Sequence, residues 1–143
     1  MLRSLLVAFL FGASAVAGAQ ALTFADVKAK NATQLTADEL RALMPGAKVV
    51  SRTPQGSTRY WQNKPDGTFI PSSDGRGSCG GRNCPSTGAG TWRVQDNGTL
   101  CVTIKWPTIS EDWCRYVFTA GDKYYAVGKH EDNAPANEFE FSK

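Results

Sequence analysis

The chain has 143 residues, 20% of them charged and 10% aromatic, and a formal net charge of +3. So small a surplus, spread along the chain, excludes an electrostatic footprint for nucleic acid or an anionic lipid surface. The length suits one ordinary domain with a buried core, and nothing beyond the first twenty-odd residues is apolar enough to cross a membrane.

Residues 1–21 read as a secretory signal peptide. Arg3 supplies the positive start, Leu5 to Phe11 is an uncharged apolar run, and Gly12 to Ala21 is rich in small residues. Cleavage fits after Ala19 or after Ala21, and the change of composition at Leu22 favours the second. The alternative, an uncleaved anchor, needs about 20 apolar residues, and this run is shorter. The expected product is one soluble periplasmic or secreted domain, residues 22–143, with 15 basic and 13 acidic residues.

The fold expected of that domain is mainly β, with a short N-terminal helix packed on an antiparallel meander sheet or small barrel. Thr23 to Lys28 suggests a first helical turn. Thr36-Ala37-Asp38-Glu39 is a capping box, in which the Thr hydroxyl caps the N–H at Glu39 and the Glu carboxylate reaches back. Leu40, Leu43 and Met44 then share one helical face, and Pro45-Gly46 ends the helix. From Ala47 onward, short runs rich in Val, Thr, Tyr, Trp and Phe alternate with turn residues. Strands are expected at Ala47–Arg52, Ser57–Gln62, Thr68–Pro71, Gly90–Gln95, Thr99–Trp106, Trp113–Ala120, Lys123–Lys129 and Glu138–Ser142. The dividers Pro54-Gln55-Gly56, Pro65-Asp66-Gly67, Asp96-Asn97-Gly98 and Gly121-Asp122 suit tight reversals, so neighbouring hairpins are expected.

Ser72 to Ala89 breaks the pattern: it is a Gly-, Ser- and Pro-rich stretch with few apolar residues, expected to stay clear of the core. It carries Arg76, Arg82, Cys79 and Cys84. All four cysteines, Cys79, Cys84, Cys101 and Cys114, follow the leader, and an even count in an oxidising compartment reads as two disulfides. Of three open pairings, Cys79–Cys84 with Cys101–Cys114 is the one expected, contributing about 2 and about 3 kcal/mol by loop entropy. If Cys101 pairs with Cys114 across a hairpin, Val102 falls opposite Trp113. Leu100, Val102, Ile104 and Trp106 then occupy one face, with Cys101, Cys114 and Tyr116 on the other. Apolar groups on both faces require cover on both.

Chemistry-bearing patterns are sparse. A tetrathiolate zinc site would need closer ligand pairs than Cys101 and Cys114 offer, so no metal and no cofactor is expected. His130, with Glu131 and Asp132 beside it, is a general-base candidate, but adjacent residues at a strand end read first as a solvated turn. No serine occupies a nucleophile elbow and no glycine run has the context of a phosphate loop, so no catalytic residue is assigned. Trp61, Trp92, Trp106 and Trp113 are many large rings for one small domain. They fill a core, or some line a pocket.

Gly90-Thr91-Trp92, Gly98-Thr99-Leu100-Cys101 and Trp113-Cys114-Arg115-Tyr116, with Tyr60, Pro65-Asp66-Gly67-Thr68 and the helix Leu35 to Gly46, carry a resemblance. Together they resemble a family of small exported proteobacterial proteins catalogued only as a domain of unknown function. The resemblance covers most of Leu35 to Val127, supports the Cys101–Cys114 pairing, does not place the Cys79–Cys84 loop and implies no activity. The function expected is a non-enzymatic binding module of the cell envelope or extracellular space. Arg76, Arg82, Trp61 and Trp92 are its candidate contacts to a small ligand or protein, and no nucleic acid is expected. The alternatives are an inhibitor of an extracellular hydrolase, using the clipped loop, and an enzyme using His130.

Overall fold

A computed structural model describes residues 21–53, 56–75 and 86–143. Residues 1–20, which hold most of the expected signal peptide, lie outside the described residues, as do Arg76, Cys79, Arg82 and Cys84. Two helices, α1 (Phe24–Ala29) and α2 (Ala37–Leu43), flank the short strand β1 (Thr33–Gln34). The remaining strands are β2 (Lys48–Arg52), β3 (Thr58–Gln62), β4 (Thr68–Phe69), β5 (Ser72–Ser73) and β6 (Ser86–Thr87). After them come β7 (Ala89–Val94), β8 (Thr99–Lys105), β9 (Ser110–Ala120), β10 (Lys123–Val127) and β11 (Ala136–Ser142).

Both helices begin on reciprocal caps. Thr36 Oγ1 accepts from the Glu39 N–H at 3.2 Å while the Thr36 N–H donates to Glu39 Oε2 at 2.7 Å. Thr23 and Asp26 repeat the device on α1, which the sequence marks only as a turn. Met44 keeps right-handed helical angles (φ −68°, ψ −39°) despite the proline after it. The chain reverses instead at Gly46, at φ 76°, where the Gly46 N–H donates to Asn63 O and ties the helix end to the chain beyond β3. The last carbonyls of a helix lack intrahelical donors, and Lys143 Nζ donates to Pro45 O at 2.7 Å and Ala42 O at 3.4 Å.

Among the described residues all strands join one antiparallel sheet, curled into a half-barrel, in the order β4-β7-β8-β9-β10-β11-β2-β3-β5-β6, with β1 added to β9. The two ends of that order are related by the chain itself. Only Ile70 and Pro71 separate β4 from β5, and only Gly88 separates β6 from β7. One pair of chain segments therefore meets β8 through β7 and meets β3 through β5. β11 lies against β2 with Phe139 opposite Ser51, linking the C-terminal hairpin to the first long strand.

Two strands at the margins of the Gly/Ser-rich stretch correct the expectation that it stays out of the core. β5 and β6 pair through Ser72↔Thr87 and Ser73↔Ser86, and Ser73 is buried. A ladder needs backbone donors and acceptors, not apolar side chains, so hydrophobic patterning does not mark these strands.

The two-residue period puts alternate side chains inside the curl. There the main core gathers Val49, Trp61, Phe69, Leu100, Val102 and Phe139, with Leu40 and Met44 of α2 among them. The ring of Phe69 lies where a Cβ on Gly90 would be, 2.1 Å from the ideal position, and it stacks on Trp61 at 5.1 Å. That contact accounts for the glycine of the Gly-x-Trp motif. The outer faces of β9 and β10 carry a second cluster of Phe118, Tyr125 and Val127, joined by Phe24 and Val27 of α1. Cover on both faces is thus divided between two helices rather than supplied by α2 alone.

Candidate functional site

The inner face changes chemistry along its length. Near α2 it is apolar. Toward the opposite end the strands present Ser51, Arg59, Ser73, Glu111, Arg115 and Asn137, all inward by the register of β2, β3, β5, β9 and β11. On β9 the alternation Glu111, Trp113, Arg115, Val117 sends the charged residues to the same side as the core residue Val117.

Glu111 is the hub of one half of this cluster. Its Oε2 accepts from Arg59 at 2.6 Å and its Oε1 from the Trp106 indole N–H at 2.8 Å. The Arg59 and Glu111 side chains are 14% and 21% exposed, so the pair is largely withdrawn from water. The Arg59 guanidinium lies 5.5 Å from the centroid of the Trp106 ring, within cation–π range. Arg59 Nε is buried without a partner among the described residues, as is the hydroxyl of Ser57, two residues earlier on the same face.

Arg115 forms the other half. It donates to Asn137 Oδ1, and its guanidinium stands 5.0 Å from the Trp113 ring centroid. Asn137 Nδ2 in turn donates to the backbone carbonyl of Arg52, which holds the amide oxygen toward Arg115. Burial lowers the Arg115 pKa below its ordinary value; the Glu111 charge opposes that shift and Arg59 adds to it. No carboxylate pairs directly with Arg115 among the described residues. A cleft of about 360 Å³ opens beside it, lined also by Gly128, Lys129, Glu131, Asn133, Ala134 and Pro135.

The residues singled out from sequence fall elsewhere. Trp61 is buried in the main core, its indole N–H given to Asn63 Oδ1 at 3.0 Å. Trp92 is partly buried against that core, donates to Lys64 O at 3.1 Å, and borders a cleft with Asp66, Gly67 and Arg93. That cleft adjoins the Pro-Asp-Gly turn, where the Thr68 hydroxyl and N–H both donate to Asp66 Oδ1 and lower its pKa. Arg76, Arg82, Cys79 and Cys84 lie outside the described residues. His130 Nε2 sits 2.8 Å from Gln34 Oε1, and its ring packs against Tyr116, Phe24 and Phe118.

Cys101 and Cys114 form a disulfide, opposite one another in the ladder, with Val102 facing Trp113 as the hairpin reading requires. Neither sulfur is therefore available as a thiolate ligand. The sequence reading passed over Arg59, Glu111, Arg115 and Asn137. The signal for Arg115 lay in the hairpin itself, because a residue next to Cys114 must fall on the face of Leu100 and Val102. A charged residue there sits at an otherwise buried position.

No helix among the described residues is long and apolar enough to cross a membrane. Neither the curated proteins nor the solved structures contain a match to this chain. A family model does match, over residues 7–114, and ends on the second cysteine of the disulfide hairpin. The chain belongs to the family described as Protein of unknown function (DUF995).

Proposed function

We propose that the mature chain is an exported, non-enzymatic binding module of the cell envelope or extracellular space, which holds a small ligand at the polar end of its curled sheet. The observation that carries this reading is the half-buried group of Arg59, Glu111 and Arg115, set between Trp106 and Trp113 and bordering a cleft. Withdrawing charges from water is unfavourable unless they are paired. A fold that keeps two guanidiniums and one carboxylate on the inside of a sheet departs from a purely apolar interior. Curled antiparallel sheets hold small molecules in this way, with an apolar body and a few polar groups that orient the guest. The Cys101–Cys114 disulfide and the leader's composition support export.

His130 does not favour the enzyme alternative: its neighbours are an amide and three rings, with no carboxylate or hydroxyl oriented on it among the described residues. The inhibitor alternative rests on the Cys79–Cys84 loop, which lies outside them.

Native mass spectrometry of the processed protein, purified under non-denaturing conditions, tests the reading. The expected spectrum shows a mass beginning at Leu22 or Gln20 and a small-molecule adduct that disappears on unfolding. A bare polypeptide whose melting temperature responds to no compound of a metabolite library would refute it.

A further inference from the structure

We infer that Arg115 is the anchor for the carboxylate of a small organic acid whose apolar body lies in the adjoining cleft. The inference rests on the proposed binding role of this end of the sheet and names the class of ligand it takes.

The charge balance of the cluster is the first ground. Arg59 and Glu111 form an ion pair at 2.6 Å, and the Trp106 indole N–H completes the coordination of the carboxylate. Arg115 is left with a neutral acceptor, Asn137 Oδ1. Lys129 and Glu131, which both line the cleft, offset each other. The site thus carries one uncompensated positive charge, which a monoanion neutralises and a phosphate dianion would overshoot.

Geometry is the second ground. A guanidinium has five N–H donors in a planar fork that matches a carboxylate through two parallel hydrogen bonds. Trp113 covers one face of the Arg115 group and Asn137 occupies part of its edge, so the fork is held in orientation before any ligand arrives. The asymmetry between the two arginines is what separates anchor from support: one is already paired and the other is not. Burial also destabilises the charged form of Arg115, as its lowered pKa reflects, and an incoming carboxylate relieves that.

The cleft supplies the third ground. At about 360 Å³ it is of small-metabolite size, and Ala134, Pro135 and Gly128 give it an apolar lining.

The experiment compares acids with their own amides, which match in shape and differ in charge. Benzoate and benzamide, hexanoate and hexanamide, and inorganic phosphate are titrated into the processed protein, followed by calorimetry and by tryptophan fluorescence, since Trp113 touches the anchor. At least one acid should bind tenfold or more tightly than its amide and more tightly than phosphate, with affinity falling as salt rises. Arg115→Gln should abolish the preference for acid over amide, and Arg115→Lys should keep part of it. Arg115→Gln should lower the melting temperature only slightly, through the lost Asn137 and Trp113 contacts, because the charge removed has no ionic partner, and Arg115→Lys keeps the charge. The acid–amide comparison on the unsubstituted protein stands even if a variant folds poorly. Equal binding of acid and amide, or a preference that survives Arg115→Gln, overturns the anchor and leaves the binding module intact. Binding of no probe overturns the anchor too, and the module falls as well only if the protein also retains no adduct and its melting temperature responds to no compound of the metabolite library.

Discussion

Asn63 and Ser57 sit at opposite ends of β3, both buried, and their surroundings differ. Asn63 accepts the Trp61 indole N–H and donates to the Met44 sulfur. Ser57 keeps its hydroxyl without a partner among the described residues. The contrast extends to the ends of the sheet that they occupy. Under α2, buried polar atoms are satisfied and rings stack. At the opposite end a hydroxyl, an arginine Nε and a guanidinium charge are withdrawn from water without full compensation. Unsatisfied buried polar groups are unfavourable by about 1–3 kcal/mol each. The difference teaches that one end supplies the stability from which the other departs.

Substitutions can break this division. Trp61→Ala, at the satisfied end, should have the largest effect, about 3–5 kcal/mol from lost burial and the cavity left against Phe69, read as a lower urea midpoint. Replacing Cys101 and Cys114 together by Ser should cost about 3 kcal/mol through the unfolded chain, measured by thermal unfolding with and without reductant. If reductant leaves the native protein's melting temperature unchanged while the double variant is equally stable, the cross-link has no such role.

Thr36→Ala should cost about 1 kcal/mol through loss of the α2 cap, and its pH dependence sharpens the assignment. The Thr36 N–H and then its hydroxyl hold the Glu39 carboxyl below its ordinary pKa of 4.5. A depressed folded-state pKa stabilises above the unfolded value, and that share is lost as pH falls through the folded pKa. Alanine keeps the backbone N–H, so only the hydroxyl's part of the gap between variant and parent should titrate, full at pH 7 and lost below about pH 4, as denaturant titrations at several pH values would reveal. Ser57→Ala should have the smallest effect and the opposite sign. Removing a hydroxyl that has no partner leaves the melting temperature unchanged or raises it slightly. A clear loss of stability there would mean that the polar end is satisfied after all.

Much of the half-barrel was legible because its long strands obey simple periods. Leu100, Val102 and Ile104 recur every second residue, Gly98 supplies the positive φ of its turn, and once Cys101 was taken to pair with Cys114 the register followed by counting. The capping box at Thr36 was equally plain, because it depends on residues three apart. Of the short strands, β4 was expected within Thr68–Pro71, whereas β5 and β6 were not legible. Ser72-Ser73 and Ser86-Thr87 pair through backbone groups that every residue has, and two residues make no period. Nor was the charged cluster. Arg59 and Glu111 come from strands β3 and β9, and only closure of the curl brings them within 2.6 Å. Trp61, chosen for its ring, illustrates the same blindness from the other side: sequence marks a large aromatic without saying which end of an interior it fills.

Among the strand pairings of the described residues, that of β11 with β2, with Ser142 opposite Lys48, spans the most sequence. Hairpins between neighbours close quickly, whereas a contact across most of a chain waits on loop closure. Until residues 136–142 dock, β2 and β10 each carry an open row of amide and carbonyl groups along the edge that β11 covers. Those rows are templates for foreign strands, so the docking of β11, which also brings Phe139 into the main core, is the step that shields the sheet from aggregation and proteases.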